Sequence, residues 1–234
     1  MPLRPGKSLA SLHSTIRQEW LSDLAVFPLP RVVFFPGALL PLHLFEERYR
    51  SMIADCLERE HMAMAVSMLK PGYEENYGGN PEMHDICGLG HIEKHEKMDD
   101  GRYNILLRGI SRVRVEAELD SDVPYRKAQV SVLPGNLDQD QVSTSALTTL
   151  LSTASLVATE VRRKHPEFEL QLGNDMPSGM LTDIVADRLV ASEAARQRLI
   201  ETVHVPQRVE ILTQTLAEIL VRFEDKKGRT GPLH

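Results

Sequence analysis

Aromatic residues are scarce, making up 5% of the 234 positions with a single tryptophan. Cysteine is scarcer still. Cys56 and Cys87 are the only two, and both sit in apolar contexts. Free buried thiols are therefore expected, as in a reducing compartment, and not a disulfide framework. No uninterrupted apolar run approaches the roughly 18–20 residues that cross a bilayer. The opening, MPLRPGKSLASLHSTIRQEW, has no apolar core of the signal-peptide kind. These absences predict a cytoplasmic protein with no membrane partner. Positive charge is also short, with 27 Lys and Arg against 33 Asp and Glu and a net charge of −6. That balance disfavours nucleic acid as a partner, because neutralising phosphates needs a positive surface. There is no G-x-S-x-G elbow for a nucleophile and no C-x-x-C pair for a metal. Gly6-Lys7-Ser8 looks like the end of a phosphate-binding loop, but the position five residues before Gly6 is Met1, so the loop is incomplete. No catalytic residue, metal or other cofactor is expected.

What is present is a chain of ordinary globular composition, 42% hydrophobic and 26% charged. It is organised around residues 24–49, LAVFPLPRVVFFPGALLPLHLFEERY. Ala25-Val26-Phe27 and Val32-Val33-Phe34-Phe35 are β-branched or aromatic and read as buried strands. Pro28, Pro30, Pro36 and Pro41 bound them, and Pro36-Gly37 signals a turn. A helix over about 45–60 then places Phe45, Tyr49, Met52 or Ile53, and Cys56 on its inner face. Before this stretch, Leu9, Leu12, Ile16 and Trp20 recur at helical spacing within a polar tail, 1–22. After it come strand-like runs at 62–69, 86–92, 103–108, 112–119 and 125–133, with a long loop at 70–84. The period then changes. Leu150, Ala154, Val157 and Val161 make one helical stripe, and Ser178 and Ser192 can cap two further helices. Pro206 suits the first turn of a last one. The expected class is α+β: a small, partly closed β-barrel with one early helix at 23–135, then an α-helical bundle at 136–225. A flexible tail over 226–234 closes the chain.

Several clusters invite a chemical reading. His84, Cys87, His91 and His95 have metal-ligand chemistry, but strand parity sets 84 and 91 on opposite faces. Met62, Met64 and Met68 alternate onto one strand face, and flexible methionine suits adaptable binding surfaces. Arg108, Arg112 and Arg114 lie close along the chain, and the last two share a face by parity. They are the alternative contacts for an anionic partner such as RNA.

The opening stretch resembles the N-terminal domain of Lon-type ATP-dependent proteases. That family opens with a pattern like F-P-L-P-x-V-V-x-F-P-G-x-x-L-P-L-x-x-F-E-x-R-Y. Here it is met by Phe27-Pro28-Leu29-Pro30, Val32-Val33, Phe35-Pro36-Gly37, Leu40-Pro41-Leu42, Phe45-Glu46 and Arg48-Tyr49. Further matches are Gly90-His91-Ile92, Gly101-Arg102-Tyr103-Asn104-Ile105, Gly109, Arg112 and Arg114-Val115, with Glu201 and Arg208 a looser echo. The resemblance implies a PUA-like barrel followed by a helical bundle, without the ATPase and serine–lysine peptidase modules of a complete Lon protease. It also implies a non-catalytic module that binds unfolded or partly folded polypeptides through a cleft between barrel and bundle, with a protease or chaperone as a further partner. A second copy of the chain is a further candidate partner. The residues singled out for polypeptide binding are Phe35, Pro36, His43 and Arg48, then Met62, Met64 and Met68.

Overall fold

The structure is a computed structural model, and it describes residues 16–59, 61–134, 142–173 and 176–229. The chain divides into two compact units, Met1–Pro134 and Gly135–His234. Among the described residues no helix is long and apolar enough to cross a membrane.

The first unit is built on a six-stranded sheet. A short helix α1 (Gln18–Leu21) leads into β1 (Leu24–Leu29), followed by β2 (Leu39–Leu44) and helix α2 (Glu47–Glu58). Then come β3 (Ala63–Met68), β4 (Ile86–Lys97), β5 (Tyr103–Leu119) and β6 (Arg126–Leu133). The strand order is β2-β5-β4-β3-β1-β6, and β6 also pairs with β5. Only β1 and β3 run parallel. The sheet is not a simple barrel, because β2 stands outside the circuit of pairings and touches β5 alone. Leu24, Val26, Ala65, Leu89, Val113 and Val130 meet in the core. Ile16 packs against that core, and Trp20 lies 5.0 Å from the His61 ring. Leu9 and Leu12, the other half of the expected stripe, lie outside the described residues.

Four sequence expectations change here. The run Val32-Val33-Phe34-Phe35 is not a strand, although Val33, Phe34 and Phe35 are buried and Val32 half-buried. It crosses over the β4–β5 ladder, where Gly88 and Gly109 leave room. A Cβ on either would stand 2.1 Å from the carbonyl oxygen of Phe34 or Phe35 respectively. Gly109 fixes the crossing by accepting from Gly37 N and donating to Ala38 O, each at 2.9 Å. Pro28 lies inside β1 and does not bound it. The β1–β6 pairing covers only Leu24, Ala25 and Val26, so no partner on that side needs a proline N–H. Pro41 lies inside β2, an edge strand, for the same reason. Last, 103–108 and 112–119 are one continuous strand, bent by register shifts rather than broken by a turn.

The second unit is four helices: α3 (Thr144–Lys164), α4 (Ser178–Leu189), α5 (Glu193–Glu201) and α6 (Val205–Arg229). Ser143 and Ser192 cap α3 and α5 by accepting from Ala146 N and Ala195 N. Ser178 does not cap α4. It is the first helical residue, and Pro177 occupies the cap position without a side-chain hydrogen bond. Leu150, Ala154 and Val157 of α3 are buried, as are Val209, Leu212 and Leu216 of α6. Arg208 is fully buried as well. Its Nε stands 3.2 Å from Asp183 Oδ1, and its Nη1 donates to Thr202 O (2.7 Å) and Val203 O (3.1 Å). That arginine closes the turn into α6 and ties it to α4.

Candidate functional site

Strand β2 supplies the surface that stands out. Its residues alternate: Leu44 is buried and Leu40 and Leu42 half-buried, while Leu39, Pro41 and His43 are exposed. Phe45 follows the same parity. Leu39 is 48% exposed and Phe45 62%, against the usual fate of such side chains. Phe45 was expected on the inner face of α2. The helix begins only at Glu47, with Glu46 as its N-cap, so Phe45 belongs to the extended segment before it.

The antiparallel register carries this row onto β5. Leu39 faces Arg108, Pro41 faces Leu106 and His43 faces Asn104, and directly paired residues share a face. A polar rim surrounds the row. His43 Nδ1 lies 2.8 Å from Asn104 Oδ1, and Arg102 Nη1 lies 3.3 Å from His43 Nε2. An Nδ1–H tautomer satisfies both contacts, donating to Asn104 and accepting from Arg102. Asn104 Nδ2 in turn donates to Glu96. Arg108 Nε and Nη2 hold Glu93 at 2.6 and 3.2 Å. The hydrogen bond from Arg108 keeps the Glu93 carboxyl below its ordinary pKa. The His43 and Phe45 rings stack at 6.2 Å. The result is a row of exposed, mostly apolar side chains on a sheet edge that is unpaired among the described residues, bounded by satisfied polar groups. It can contact an extended chain laid along the edge, where Pro41 offers no N–H to an added strand.

Arg48 lines a separate cleft of about 540 Å³ together with Tyr49, Tyr77 and Arg126. Its guanidinium lies 4.5 Å from the Tyr49 ring centroid and 6.0 Å from that of Tyr77. It is paired with Glu46 at 2.9 Å. Burial pushes the Tyr49 hydroxyl up to about 12. Arg126 is tied to Glu118 and donates to Pro81 O at 2.7 Å. This cleft is polar and internally neutralised.

The other sequence candidates are scattered. Phe35, Pro36, Met64 and Met68 are buried, and Met62 is half-buried with a positive φ of 44° just before β3. Strand β3 is buried on both faces, so its methionines fill core. Of the three arginines, Arg108 is held by Glu93, Arg112 is 0% exposed and Arg114 is exposed. They form no common patch: Arg112 and Arg114 keep the shared strand face that parity predicts, in a regular stretch of the ladder, but Arg112 is buried and Arg114 exposed. Among the described residues no group of three or more His, Cys, Asp or Glu is placed to hold a metal ion. Cys87 is buried, and His91 Nδ1 lies 3.0 Å from His61 O. Both thiols are free, and burial pushes each up to about 12. The signal that would have found the exposed row was present. Leu40, Leu42 and Leu44 alternate with Pro41 and His43, but the proline reads as a strand terminator.

Comparison with known proteins gives a consistent picture. The chain is 26% identical over 194 residues to Lon protease 2 of Myxococcus xanthus, covering 82% of this chain and 23% of the relative. It is 28% identical over 196 residues to Lon protease of Desulfosudis oleivorans, with the same coverage. The chain thus spans about a quarter of the length of the curated relatives it matches. Among solved structures, the Lon N-terminal domain protein from Xanthomonas campestris superposes with a TM-score of 0.58 at 25% identity, covering 82% of this chain and 96% of that one. The N-terminal domain of Mycobacterium avium complex Lon protease has the same fold, with a TM-score of 0.63 at 15% identity over 84% and 98%. The family model for the ATP-dependent protease La (LON) substrate-binding domain matches residues 23–218. With most of its length matched, the chain belongs to the Lon substrate-binding domain family.

Proposed function

We propose that the chain is a non-catalytic module that recognises unfolded or partly folded polypeptide segments through the β2 edge and the face it shares with β5. In this reading the sheet unit is a PUA-like barrel to which β2 adds an outer strand. The module works in the cytoplasm with a protease or a chaperone, and it needs no cofactor. The observation that carries the reading is the exposed row Leu39, Pro41, His43 and Phe45 on an edge strand. An edge strand with exposed apolar side chains is a liability unless something uses it. Family membership supports a substrate-recognition role. Of the residues singled out from sequence, His43 lies within this surface, and Arg48 is kept as a contact from the neighbouring cleft. RNA is not favoured, since Arg108 is neutralised and Arg112 is buried.

Fluorescence anisotropy with a labelled casein-like unfolded chain tests the proposal. Binding at micromolar concentration is expected, with a folded protein of the same charge giving no signal. Absence of binding at high micromolar concentration sinks it.

A further inference from the structure

The helical unit carries a groove of its own, about 580 Å³, between α3, α5 and α6. Its floor is apolar, with Val157 and Val161 from α3, Leu189 from the end of α4, and Ile211, Ile219 and Phe223 from α6. Such a strip on a soluble helical unit is the kind of surface that takes an amphipathic helix. The rim identifies the sign of the occupant. Arg198 and Arg222 line the groove, and neither guanidinium has an ion-pair partner among the described residues. Lys164 adds a third cation, its Nζ 5.8 Å from the Phe223 ring centroid. Against these stands one acid among the lining residues, Glu218, one turn before Arg222. The lining thus carries one net positive charge, Arg198 and Arg222 against Glu218, on a molecule whose net charge is −6. The local charge opposes the global one, so an acidic segment is attracted here and repelled elsewhere.

We propose that this groove docks an amphipathic acidic helix of a partner protein. Its apolar residues at i, i+4 and i+7 lie over Val161, Ile219 and Phe223, which are half-buried. Its glutamates or aspartates reach Arg198 and Arg222. The proposal concerns the helical unit and stands independently of the polypeptide-binding role assigned to β2.

The test uses the full chain and a labelled synthetic peptide about four helical turns long, with leucine and phenylalanine on one face and glutamate on the flanks. Binding that weakens with added salt is expected. A peptide with every glutamate changed to lysine is expected to lose at least tenfold in affinity, and so is the R198E/R222E double variant with the acidic peptide. Those arginines are exposed, so the variant keeps its fold, which circular dichroism checks. Equal affinity for the acidic and lysine peptides, or an unchanged double variant, overturns the proposal. Sedimentation distinguishes the remaining occupant: a dimer that the double variant dissociates and the peptide cannot enter assigns the groove to a second copy and overturns the partner reading.

Discussion

At the scale of single residues, the second unit turns on one buried ion pair. Arg208 and Asp183 are both 0% exposed, and a charge without its partner in such a place is far costlier than the pair is favourable. Asp183→Ala is expected to lower the unfolding free energy by about 3–5 kcal/mol in urea titrations. In the first unit, Asp23 is held by Arg59 (2.9 Å) and Lys127 (3.1 Å). Burial raises its pKa, but those hydrogen bonds and charges outweigh burial and hold it below 3.8. A carboxyl depressed in the folded state contributes stability above its unfolded value, near 3.9, and loses it as pH falls through the lower folded value. Asp23→Asn is thus expected to be less stable than wild type at neutral pH, with the gap closing below about pH 4. Cys56 and Cys87 give a third residue-level outcome. With both thiols buried and pushed up to about 12, a thiol reagent at pH 8 labels neither until the chain is unfolded. Rapid native labelling would contradict the buried placement.

At the scale of elements, the crossing of 32–35 over the ladder decides how the sheet closes on its interior. Gly88→Ala places a methyl group 2.1 Å from the Phe34 carbonyl oxygen, which only a backbone shift relieves. A loss of about 1–3 kcal/mol or more is expected. Gly78→Ala, with nothing within 4 Å of the added carbon, is the near-neutral control. These elements also show what sequence can and cannot reveal. The alternating sequence along 112–119 and the continuous apolar run at 62–69 marked strands, the first by the side-chain period and the second because β3 is buried on both faces. The stripes of α3 and α6 were legible for the same reason. The crossing segment was not, since β-branched and aromatic residues report burial, and a buried irregular segment carries the same composition as a strand. Strand β2 was hidden by Pro41, which an edge tolerates and an interior strand does not. Phe45 was assigned to the helix because periodicity alone cannot tell a residue before the cap from one after it. Parity placed Arg112 and Arg114 on one face, as the regular ladder has them, but the burial of Arg112 depends on tertiary context that the alternation does not contain.

At the scale of the whole molecule, the two-part organisation was legible from the single change of period. The family resemblance rested on prolines and glycines whose register reflects the turns they make. The binding surface was less so. Four of the residues named from sequence are buried: Phe35 and Pro36 because the motif that marks the family also builds its core, and Met64 and Met68 because β3 is buried on both faces. What remains outside is the β2 row. The central claim is that unfolded chains lie along it, and photo-crosslinking tests that most directly. A photoreactive phenylalanine analogue at position 45, in place of Phe45, is mixed with an unfolded client, with the same analogue at Leu156 as the control. Leu156 is 59% exposed and lies on α3. The account predicts client crosslinks from position 45 that Leu39→Glu abolishes, and none above background from position 156. Equal crosslinking from both positions, or crosslinking at 45 that survives Leu39→Glu unchanged, would contradict it.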